Sequence, residues 1–525
     1  MMKNLFFVIF IILAISACED NNEICQNEIN DNLENTASII ELTPKEYSVL
    51  SALSRNSTKI KEDEVREIVS DFKEDKHLGN KIMPIIKNKG LSKSTDSDVD
   101  TALYIVDFEN NGGWAIIAGD ARLPETILAY SDEGSLENYA EDEGFSVFMD
   151  YLTNYYDSCI VNFEMEKDSL VDIICEKSGI TPDSLTCLSK KQAPPAFNKD
   201  DIVDEWSTST AWYNTFAVEP LVPVSWKQRD EYNEVLQQIK GKDYRLGCTS
   251  LATAQLMTYW KYPQNFYANG VYIDWSEITK YPNITDYNYV SNGDALKKQI
   301  QTLCYVLSGF CNTKYMRNNS MSLPKNSLEV LSNLGYRVPD GFIQYSKSRI
   351  ENSMRKKTPI IAYGANKKTK GWSIVLSIAT SGIVNKTIPQ HVWLIDGFIR
   401  QQKTITNYVK YIDRYKYYNK PEILSLMKKA QNPINPSTTP NSSNNNSDKK
   451  KYSTVTKEYK TSYTREFIHM NWGWGDEISR CWYLADVFDC SDAYTINNGN
   501  LTSRELNHDE EYFKVHIATD IYPKN

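Results

Sequence analysis

The sequence lacks a basic stripe, a long apolar segment and a cluster of metal ligands. Lysines and arginines are scattered and the formal charge is −10, so neither nucleic acid nor an anionic membrane surface is an expected partner. No group of cysteines and histidines has the spacing of a zinc site, so we expect no metal or other cofactor. Histidine is scarce, with five residues in the chain, and this scarcity limits the choice of a catalytic base.

The first residues have the pattern of an export signal. Residues 1–17 have a short basic start and an apolar run that is too short to span a membrane. Cys18 follows Ile15-Ser16-Ala17, which resembles a bacterial lipobox, where the cysteine is lipidated and becomes the mature N-terminus. We therefore expect an exported protein, anchored to the cell envelope through acyl chains on Cys18, with residues 18–36 as a tether. The alternative is an ordinary cleaved signal.

Cysteine parity points to an unpaired thiol. The chain has ten cysteines, and with Cys18 assigned to lipid an odd number remains. In an oxidising compartment one thiol is then left over, and such a thiol is either reactive or buried.

A small α+β domain is expected first, within residues 37–205. Residues 37–90 carry helical periodicity in polar sequence, which predicts a small amphipathic helical piece. Residues 101–131 alternate as the strands of a meander with a turn at Asn111-Gly112-Gly113, and residues 145–156 follow with helical spacing of apolar side chains. Residues 176–205 are polar and contain three prolines, which is typical of an exposed connection. We place the domain boundary at its end.

A larger domain is expected over residues 206–525, with helices early and strands late. Residues 431–451 are nearly all asparagine, serine, proline, threonine and lysine. Such a segment cannot bury enough apolar area to offset its ordering entropy, so it is predicted to be a flexible surface insertion.

Cys248 is predicted to stand at a helix N-terminus. Gly247 precedes it, and a run of helix formers continues from it to Pro263. Unpaired backbone N–H groups and the helix dipole there favour a thiolate and supply donors for an oxyanion. By itself this feature also fits an ordinary core cysteine.

A thiolate nucleophile needs an imidazole partner, and two histidines fit. His391 opens the apolar strand HVWLIDGF, which suits a base that is held rigidly and reached by substrate. His469 precedes MNWGWG in a similar strand and is the rival, with Asn471 as the nearest amide that could orient a ring.

Three motifs in this order resemble the streptopain family of papain-like cysteine peptidases. They are Gly247-Cys248 with Ala252-Thr253-Ala254-Gln255 and Tyr259-Trp260, His391-Val392-Trp393-Leu394-Ile395-Asp396-Gly397, and His469-Met470-Asn471-Trp472-Gly473-Trp474-Gly475.

The resemblance implies a role for each site residue. Cys248 would be the nucleophile and His391 the base, and Asn471 with Trp472 would orient and shield the imidazole. Gln228, in a segment similar to the family's W-x-Q-x-x-P-Y-N, would donate to the oxyanion. His469, Asp396 and Trp474 are interpreted as structural.

The resemblance extends to the first domain, where residues 113–120 and 127–131 are similar to the family's inhibitory prosegment. The implied fold class is α+β, a papain-like peptidase domain with a helical part and an antiparallel sheet part, preceded by a small α+β prodomain. The chain departs from the family pattern at Gln390, at Glu231 and in the length of the insertion. None of these departures removes a reacting group.

The expected function is that of a secreted cysteine endopeptidase zymogen, with polypeptides as substrates and its own prosegment as inhibitor. The rival is a catalytically silent surface lipoprotein that uses this scaffold for binding. Transglutaminase-like or amidase chemistry with the same two residues stays open, because the nucleophile and base would be the same.

Overall fold

The computed structural model describes most of the chain between residues 38 and 524. The described residues are 38–43, 45–46, 48–49, 52, 57–72, 78–87, 101–136, 143–178, 202–241, 244–317, 319–364, 374–375, 391–412, 454–474, 481–489, 494–497, 500–503 and 515–524. Cys18, the predicted signal and tether, most of the predicted connection and the insertion at 431–451 lie outside them.

The chain forms two compact units. The first contains residues 1–57, 166–212 and 403–463, and the second contains residues 58–165, 213–402 and 464–525. In the first unit, strand β1 pairs in parallel with part of β17, and β6 pairs antiparallel with part of β16. The expected boundary at residue 205 falls inside β6.

The helices of the described residues lie mostly between the meander and the late strands, as the apolar spacing predicted. They are α1 (Glu62–Phe72), α2 (Glu143–Ser178), α3 (Glu234–Lys240), α4 (Cys248–Trp260), α5 (Trp275–Ile278), α6 (Gly293–Phe310), α7 (Lys325–Asn333) and α8 (Lys347–Arg355).

The strands of the described residues are mainly antiparallel. They are β1 (Ser38–Leu42), β2 (Leu78–Lys87), β3 (Thr101–Phe108), β4 (Trp114–Ala118), β5 (Ile127–Ser131), β6 (Ile202–Ser209), β7 (Tyr213–Val218), β8 (Tyr267–Ala268), β9 (Val271–Tyr272), β10 (Lys314–Met316), β11 (Asn319–Met321), β12 (Tyr336–Arg337), β13 (Ile343–Gln344), β14 (Ile360–Gly364), β15 (Ile374–Val375), β16 (His391–Ile412), β17 (Thr454–Asn471), β18 (Cys481–Leu484), β19 (Tyr494–Asn497), β20 (Asn500–Ser503), β21 (His516–Ala518) and β22 (Tyr522–Pro523).

One sheet runs through the second unit in the order β13-β21-β14-β16-β17-β18-β5-β4-β3-β2-β15. The part from β13 to β18, in the expected peptidase domain, carries the His391 and Asn471 motifs. The other part of the sheet is the meander predicted over residues 101–131. The α+β fold class is confirmed, with the helical part of the peptidase domain built by α3 to α8.

The meander contains a strand that the sequence interpretation missed. Residues 78–87 form β2 and pair with β3, whereas a small helical piece was expected over residues 37–90. That expectation holds for α1 and for the described residues 45, 46, 48, 49 and 52, which are also helical. Isoleucines at 82, 85 and 86 are β-branched and favour the extended form, and the register of β2 shifts on either side of Pro84, which lacks a backbone donor.

Helix α4 is the central helix of the peptidase part. All of its residues from Thr249 to Thr258 are buried. The helix carries small and apolar side chains on every face, which is typical of a helix enclosed in a core. It ends at Lys261, which adopts a left-handed conformation with φ of 48°.

Candidate active site

Helix α4 positions the candidate nucleophile. Cys248 is its first residue, and Gly247 before it has φ of 99°. A side chain at position 247 would strain this backbone, and its Cβ would lie 3.2 Å from Thr313 Cγ2. Glycine therefore lets the chain turn into the helix, so that the backbone N–H groups of the first turn lie beside the half-buried thiol.

The environment of Cys248 keeps its thiol protonated. Burial raises the pKa of the thiol above its ordinary value, because a thiolate would lose its hydration there. Backbone N–H groups of Val392, Thr249 and Cys248 donate to the sulfur and act in the opposite direction. Burial outweighs them, so the thiol needs a base before it can act as a nucleophile.

His391 is held at the start of β16, opposite Gly364 of β14. Its Nε2 atom lies 2.9 Å from the carbonyl oxygen of Trp472 and 3.1 Å from the indole nitrogen of Trp474. The rings of Trp393, Trp472 and Trp474 lie within 30° of parallel to the imidazole, with centroids 6.0, 5.9 and 5.5 Å away. These aromatic rings fix the plane of a ring that is 2 % exposed.

Two contacts of opposite kind meet at Nε2 of His391. The Trp474 indole N–H donates to Nε2 when this nitrogen carries no proton, and the Trp472 carbonyl accepts from Nε2 when it does. In the tautomer that donates to Trp472, Nδ1 carries no proton and can accept one. Val392, the next residue, donates its backbone N–H to Cys248 Sγ, so the thiol lies at the same end of β16 as the imidazole.

Asn471 ties three segments together next to the imidazole. Its Nδ2 donates to the carbonyl of Val224 at 2.7 Å, and its Oδ1 accepts from Gln255 Nε2 at 2.9 Å. The oxygen atom next to His391 Nε2 is the backbone carbonyl oxygen of Trp472. The role predicted for the Asn471 amide, that of orienting the imidazole directly, stays a prediction.

Gln228 is brought next to the nucleophile by backbone contacts. Its carbonyl accepts from Leu246 N, two residues before Cys248, at 3.1 Å, and its side chain is buried. The preceding Lys227 forms an isolated bridge with Trp474. The segment that contains Gln228, 20 residues before Cys248 in sequence, therefore lies beside both Cys248 and Trp474, the tryptophan that contacts His391.

His469, the rival base, forms a buried pair with Asp396. Its Nδ1 lies 2.6 Å from Asp396 Oδ1, and Asp396 Oδ2 accepts from Val222 N at 3.0 Å. Among the described residues its Nε2 has no hydrogen-bond partner and is buried. This enclosed pair links β16, β17 and the segment before Trp226, which fits the structural role expected for both residues.

Trp474 was interpreted as a core aromatic, but its indole nitrogen contacts His391. The signal that could have found it is its spacing, since Trp472 and Trp474 flank Gly473, whose φ of 77° turns the chain back toward the helix. A Cβ at Gly473 would lie 2.8 Å from Leu251 Cδ2. This turn brings both indoles to the same imidazole.

The predicted prosegment packs beside the strand that holds His391. A Cβ at Gly364, the register partner of His391, would lie 2.1 Å from the Tyr151 hydroxyl oxygen of helix α2. Phe148, one turn earlier, has its ring centroid 4.6 Å from that of Tyr483 of β18. Tyr151 is fully buried, so this helix covers the sheet at the histidine.

The prosegment sheet also joins the peptidase sheet edge to edge. Strand β5 pairs antiparallel with β18 at Ser131 and Cys481, Tyr130 and Trp482, and Ala129 and Tyr483. Backbone hydrogen bonds along a strand edge give affinity, and the side chains on its faces give specificity.

The described residues show two further absences. Among them, no three His, Cys, Asp or Glu side chains cluster in a way that could hold a metal ion. No helix in the described part of the chain is both long and apolar enough to cross a membrane.

Comparisons with known proteins assign both parts of the chain. Residues 226–418 match the model of the peptidase C10 family, and residues 57–156 match the Spi protease inhibitor. No curated protein matches the chain. A solved fragment of prointerpain A from Prevotella intermedia is similar at 15 % identity over 85 % of this chain and 100 % of that one, with a TM-score of 0.39.

The active wild-type interpain A cysteine protease of Prevotella intermedia is similar at 18 % identity over 36 % of this chain and 82 % of that one, with a TM-score of 0.24. The family matches carry the assignment, since one covers the Cys248 and His391 motifs and the other covers the meander and the first part of α2. Residues 226–418 match the peptidase C10, or streptopain, family, and the chain is a cysteine-type peptidase zymogen with an inhibitor-type prosegment.

Proposed function

We propose that the chain is an exported endopeptidase that cleaves peptide bonds through a Cys248–His391 dyad and a thioester intermediate. The observation that carries the proposal is the shared position of the two groups. Cys248 Sγ accepts the backbone N–H of Val392, and the adjacent His391 has its Nε2 at the Trp472 carbonyl. In the tautomer whose Nε2 donates to Trp472, Nδ1 is the nitrogen available for the thiol proton.

The acylation step follows from these positions. Nδ1 of His391 takes the thiol proton, and the Cys248 sulfur attacks the substrate carbonyl carbon, whose C=O electron pair moves onto oxygen. The backbone N–H of Cys248 and the amide of Gln228 donate to this oxyanion. The imidazolium then gives its proton to the leaving amine as the C–N bond breaks, which leaves a thioester.

Deacylation uses the same groups. His391 removes a proton from water, and the resulting hydroxide attacks the thioester carbonyl. The C–S bond breaks, and the proton returns from the imidazolium to the Cys248 sulfur. The acid is released and the thiol is restored, so no metal or other cofactor enters the reaction.

Latency is supported by the packing of the prosegment. Tyr151 of α2 lies on Gly364 next to His391, and β5 covers the edge of β18. A substrate strand that approached the dyad from this side would meet the face of α2 that carries the fully buried Phe148 and Tyr151. Loss of roughly residues 19–205, by cleavage within residues 176–205, is the proposed activation step.

Export and anchoring complete the proposal and are supported by the residue pattern at 1–18. If lipid is attached to Cys18, cleavage within residues 176–205 frees the peptidase from the envelope at the same time as it activates it. Replacement of Cys18 with serine would then abolish labelling by a radioactive fatty acid and release the full chain. Continued labelling of the Cys18→Ser protein would exclude this anchor.

Casein hydrolysis by the purified chain tests the dyad. The trimmed protein should hydrolyse casein in a reductant, and an epoxide inhibitor of cysteine peptidases should block it. Cys248→Ala should retain about a thousandth of wild-type turnover or less. Cys304→Ala, which removes a buried thiol of α6, is the matched control and should stay active. Retention of about a tenth of the turnover by Cys248→Ala would exclude Cys248 as the nucleophile.

A further inference from the structure

Tyr483 of β18 lies behind the tryptophan that shields the imidazole. The indole nitrogen of Trp472 lies 3.1 Å from the hydroxyl oxygen of Tyr483. The indole ring faces the His391 imidazole at a centroid distance of 5.9 Å, with 24° between the two planes. We propose that Tyr483 is a positioning residue, because its hydroxyl fixes the Trp472 indole and the indole in turn holds the imidazole of His391. This inference rests on the proposed peptidase function and deepens it.

The hydrogen bond between the two residues has one possible direction. An indole N–H can only donate, so the Tyr483 oxygen accepts. Trp472 is 1 % exposed and Tyr483 is fully buried, and within the described part of the chain the Tyr483 hydroxyl is the acceptor that this N–H reaches. Loss of the hydroxyl would leave a buried donor unsatisfied, which favours movement of the ring toward another acceptor.

Ring packing alone does not set the orientation of this indole. The ring centroid of Trp393 lies 4.6 Å from that of Trp472 at 35°, and the centroid of Phe488 lies 6.5 Å away at 46°. Burial of apolar rings is non-directional, whereas a hydrogen bond weakens steeply as its angle bends. The Tyr483 hydroxyl therefore supplies the directional contact that fixes the edge of the indole.

Trp472 passes this constraint on to His391 through two contacts. Its carbonyl oxygen lies 2.9 Å from His391 Nε2, and its ring lies nearly parallel to the imidazole. Trp472 lies beyond the end of β17 at Asn471, so its position depends on contacts of its own. A displaced indole would tilt the imidazole away from the geometry that the reaction needs, and reaction rates are sensitive to such shifts.

The same tyrosine is in contact with the prosegment. Phe148 of α2 has its ring centroid 4.6 Å from that of Tyr483, and Ala129 of β5 is the register partner of Tyr483. Trp472 and Tyr483 themselves are 11 residues apart in the peptidase part, so their hydrogen bond uses no atom of the prosegment. The inference can therefore be tested in the activated enzyme.

Replacement of Tyr483 by phenylalanine removes the hydroxyl and keeps the ring. The protein is the full chain activated by limited proteolysis, its active sites are titrated with the epoxide inhibitor, and the substrate is a quenched fluorescent peptide that contains a casein bond cleaved by the wild type. We expect kcat per titrated site to fall about fivefold in Tyr483→Phe, which is the size of one lost hydrogen bond. KM should stay within about twofold of the wild-type value, because Tyr483 acts on His391 rather than on substrate binding.

A double-mutant cycle tests whether the effect passes through Trp472. Trp472→Phe removes the donor of the same bond together with part of the shield, and it should lower kcat per titrated site by about tenfold. The double variant Tyr483→Phe/Trp472→Phe should lie within about twofold of Trp472→Phe alone, because the bond cannot be removed twice.

Tyr345→Phe is the matched control. Tyr345 is buried, donates its hydroxyl to the Ala485 carbonyl at 2.9 Å, and lies 6.4 Å from Phe488, the ring that also neighbours Trp472. This substitution should lower the melting temperature as Tyr483→Phe does, while kcat per titrated site stays at the wild-type value. A merely structural role of Tyr483 would give the same result in both variants.

An unchanged kcat per titrated site in Tyr483→Phe or in Trp472→Phe would overturn the inference, and the second variant decides if the first does not fold. An equal fall in Tyr345→Phe would assign the effect to general loosening. A double variant whose loss is the product of the two single losses would show that Tyr483 does not act through Trp472. Failure of the wild type both to cleave casein and to be alkylated at Cys248 would refute the proposed function itself, whereas normal cleavage by Tyr483→Phe refutes this inference alone.

Discussion

The Nε2 atom of His391 lies 2.9 Å from the backbone carbonyl oxygen of Trp472. The acceptor that orients the imidazole is therefore a main-chain atom, and replacement of the Trp472 side chain leaves it in place. What the side chains of Trp393, Trp472 and Trp474 add is a fixed ring plane and exclusion of water, which strengthens hydrogen bonds at the ring.

Replacement of each candidate base should show which histidine is needed for catalysis and which is needed for stability. His391→Ala should reduce turnover to about a thousandth while unfolding stays close to that of the wild type. His469→Ala should lower the free energy of unfolding by about 3 kcal/mol, since it leaves the buried Asp396 carboxylate without the ring nitrogen that hydrogen-bonds to it. Casein turnover per folded molecule and thermal unfolding, measured for both variants, check these expectations. An equal loss of turnover in folded His391→Ala and folded His469→Ala would leave the base unassigned.

Asn471→Ala should act mainly on stability. It removes the donor to the buried Val224 carbonyl and one of the two acceptors of the Gln255 amide, which keeps the Trp226 carbonyl, and a buried unsatisfied group costs about 1–3 kcal/mol. The melting temperature should fall by several degrees, whereas Asn333→Ala, at an exposed position, should change it little. If Asn471→Ala melts like the wild type but loses turnover as His391→Ala does, the amide acts on the imidazole directly.

Tyr151→Ala should weaken latency in the uncut chain. The substitution removes a fully buried ring that lies on Gly364 and leaves a cavity, which costs about 3–5 kcal/mol of packing in the prosegment contact. Peptide hydrolysis by the uncut Tyr151→Ala chain should exceed that of the uncut wild type. Met165→Ala, at an exposed position of the same helix, is the control. Full activity of the uncut wild-type chain would refute latency itself.

The stability of the full chain should depend on pH through Glu125 of the prosegment. Burial raises the pKa of Glu125 from its ordinary value of 4.5 to about 7; the nearby Arg465 opposes this shift and Asp486 adds to it. The folded state binds this proton more tightly than the unfolded state, so the contribution of Glu125 to the free energy of unfolding should fall as pH rises from about 4.5 to about 7 and be constant outside this window.

Melting temperatures measured across this pH window test the assignment. Glu125→Gln should lose this part of the slope, while Glu109→Gln, at an exposed position, should keep it. The same slope in wild type and Glu125→Gln would assign the titration to another group.

Much of the site could be predicted from the sequence, because its signals are local. Gly247 before Cys248 and the helix formers after it specify a helix that begins at the cysteine, and the structure has α4 at Cys248–Trp260. The order of the three motifs was sufficient to indicate the family. Strand β2 was missed because Pro84 and its basic surroundings obscure an apolar run that only pairing with β3 stabilises.

The sequence by itself determined which residue types meet at the site, namely a thiol at a helix start and an imidazole at a strand start. The tertiary structure decided which atoms touch. His391 and Trp472 are 81 residues apart, and the β5–β18 pairing joins segments about 350 residues apart. Contacts of this kind depend on sheet register, in which a shift of one residue moves every side chain to the other face. No local sequence pattern contains that register. The contact of the Trp472 carbonyl with His391 Nε2, the contact of Trp474 with the same nitrogen and the packing of Tyr151 on Gly364 could therefore be seen only in the tertiary structure.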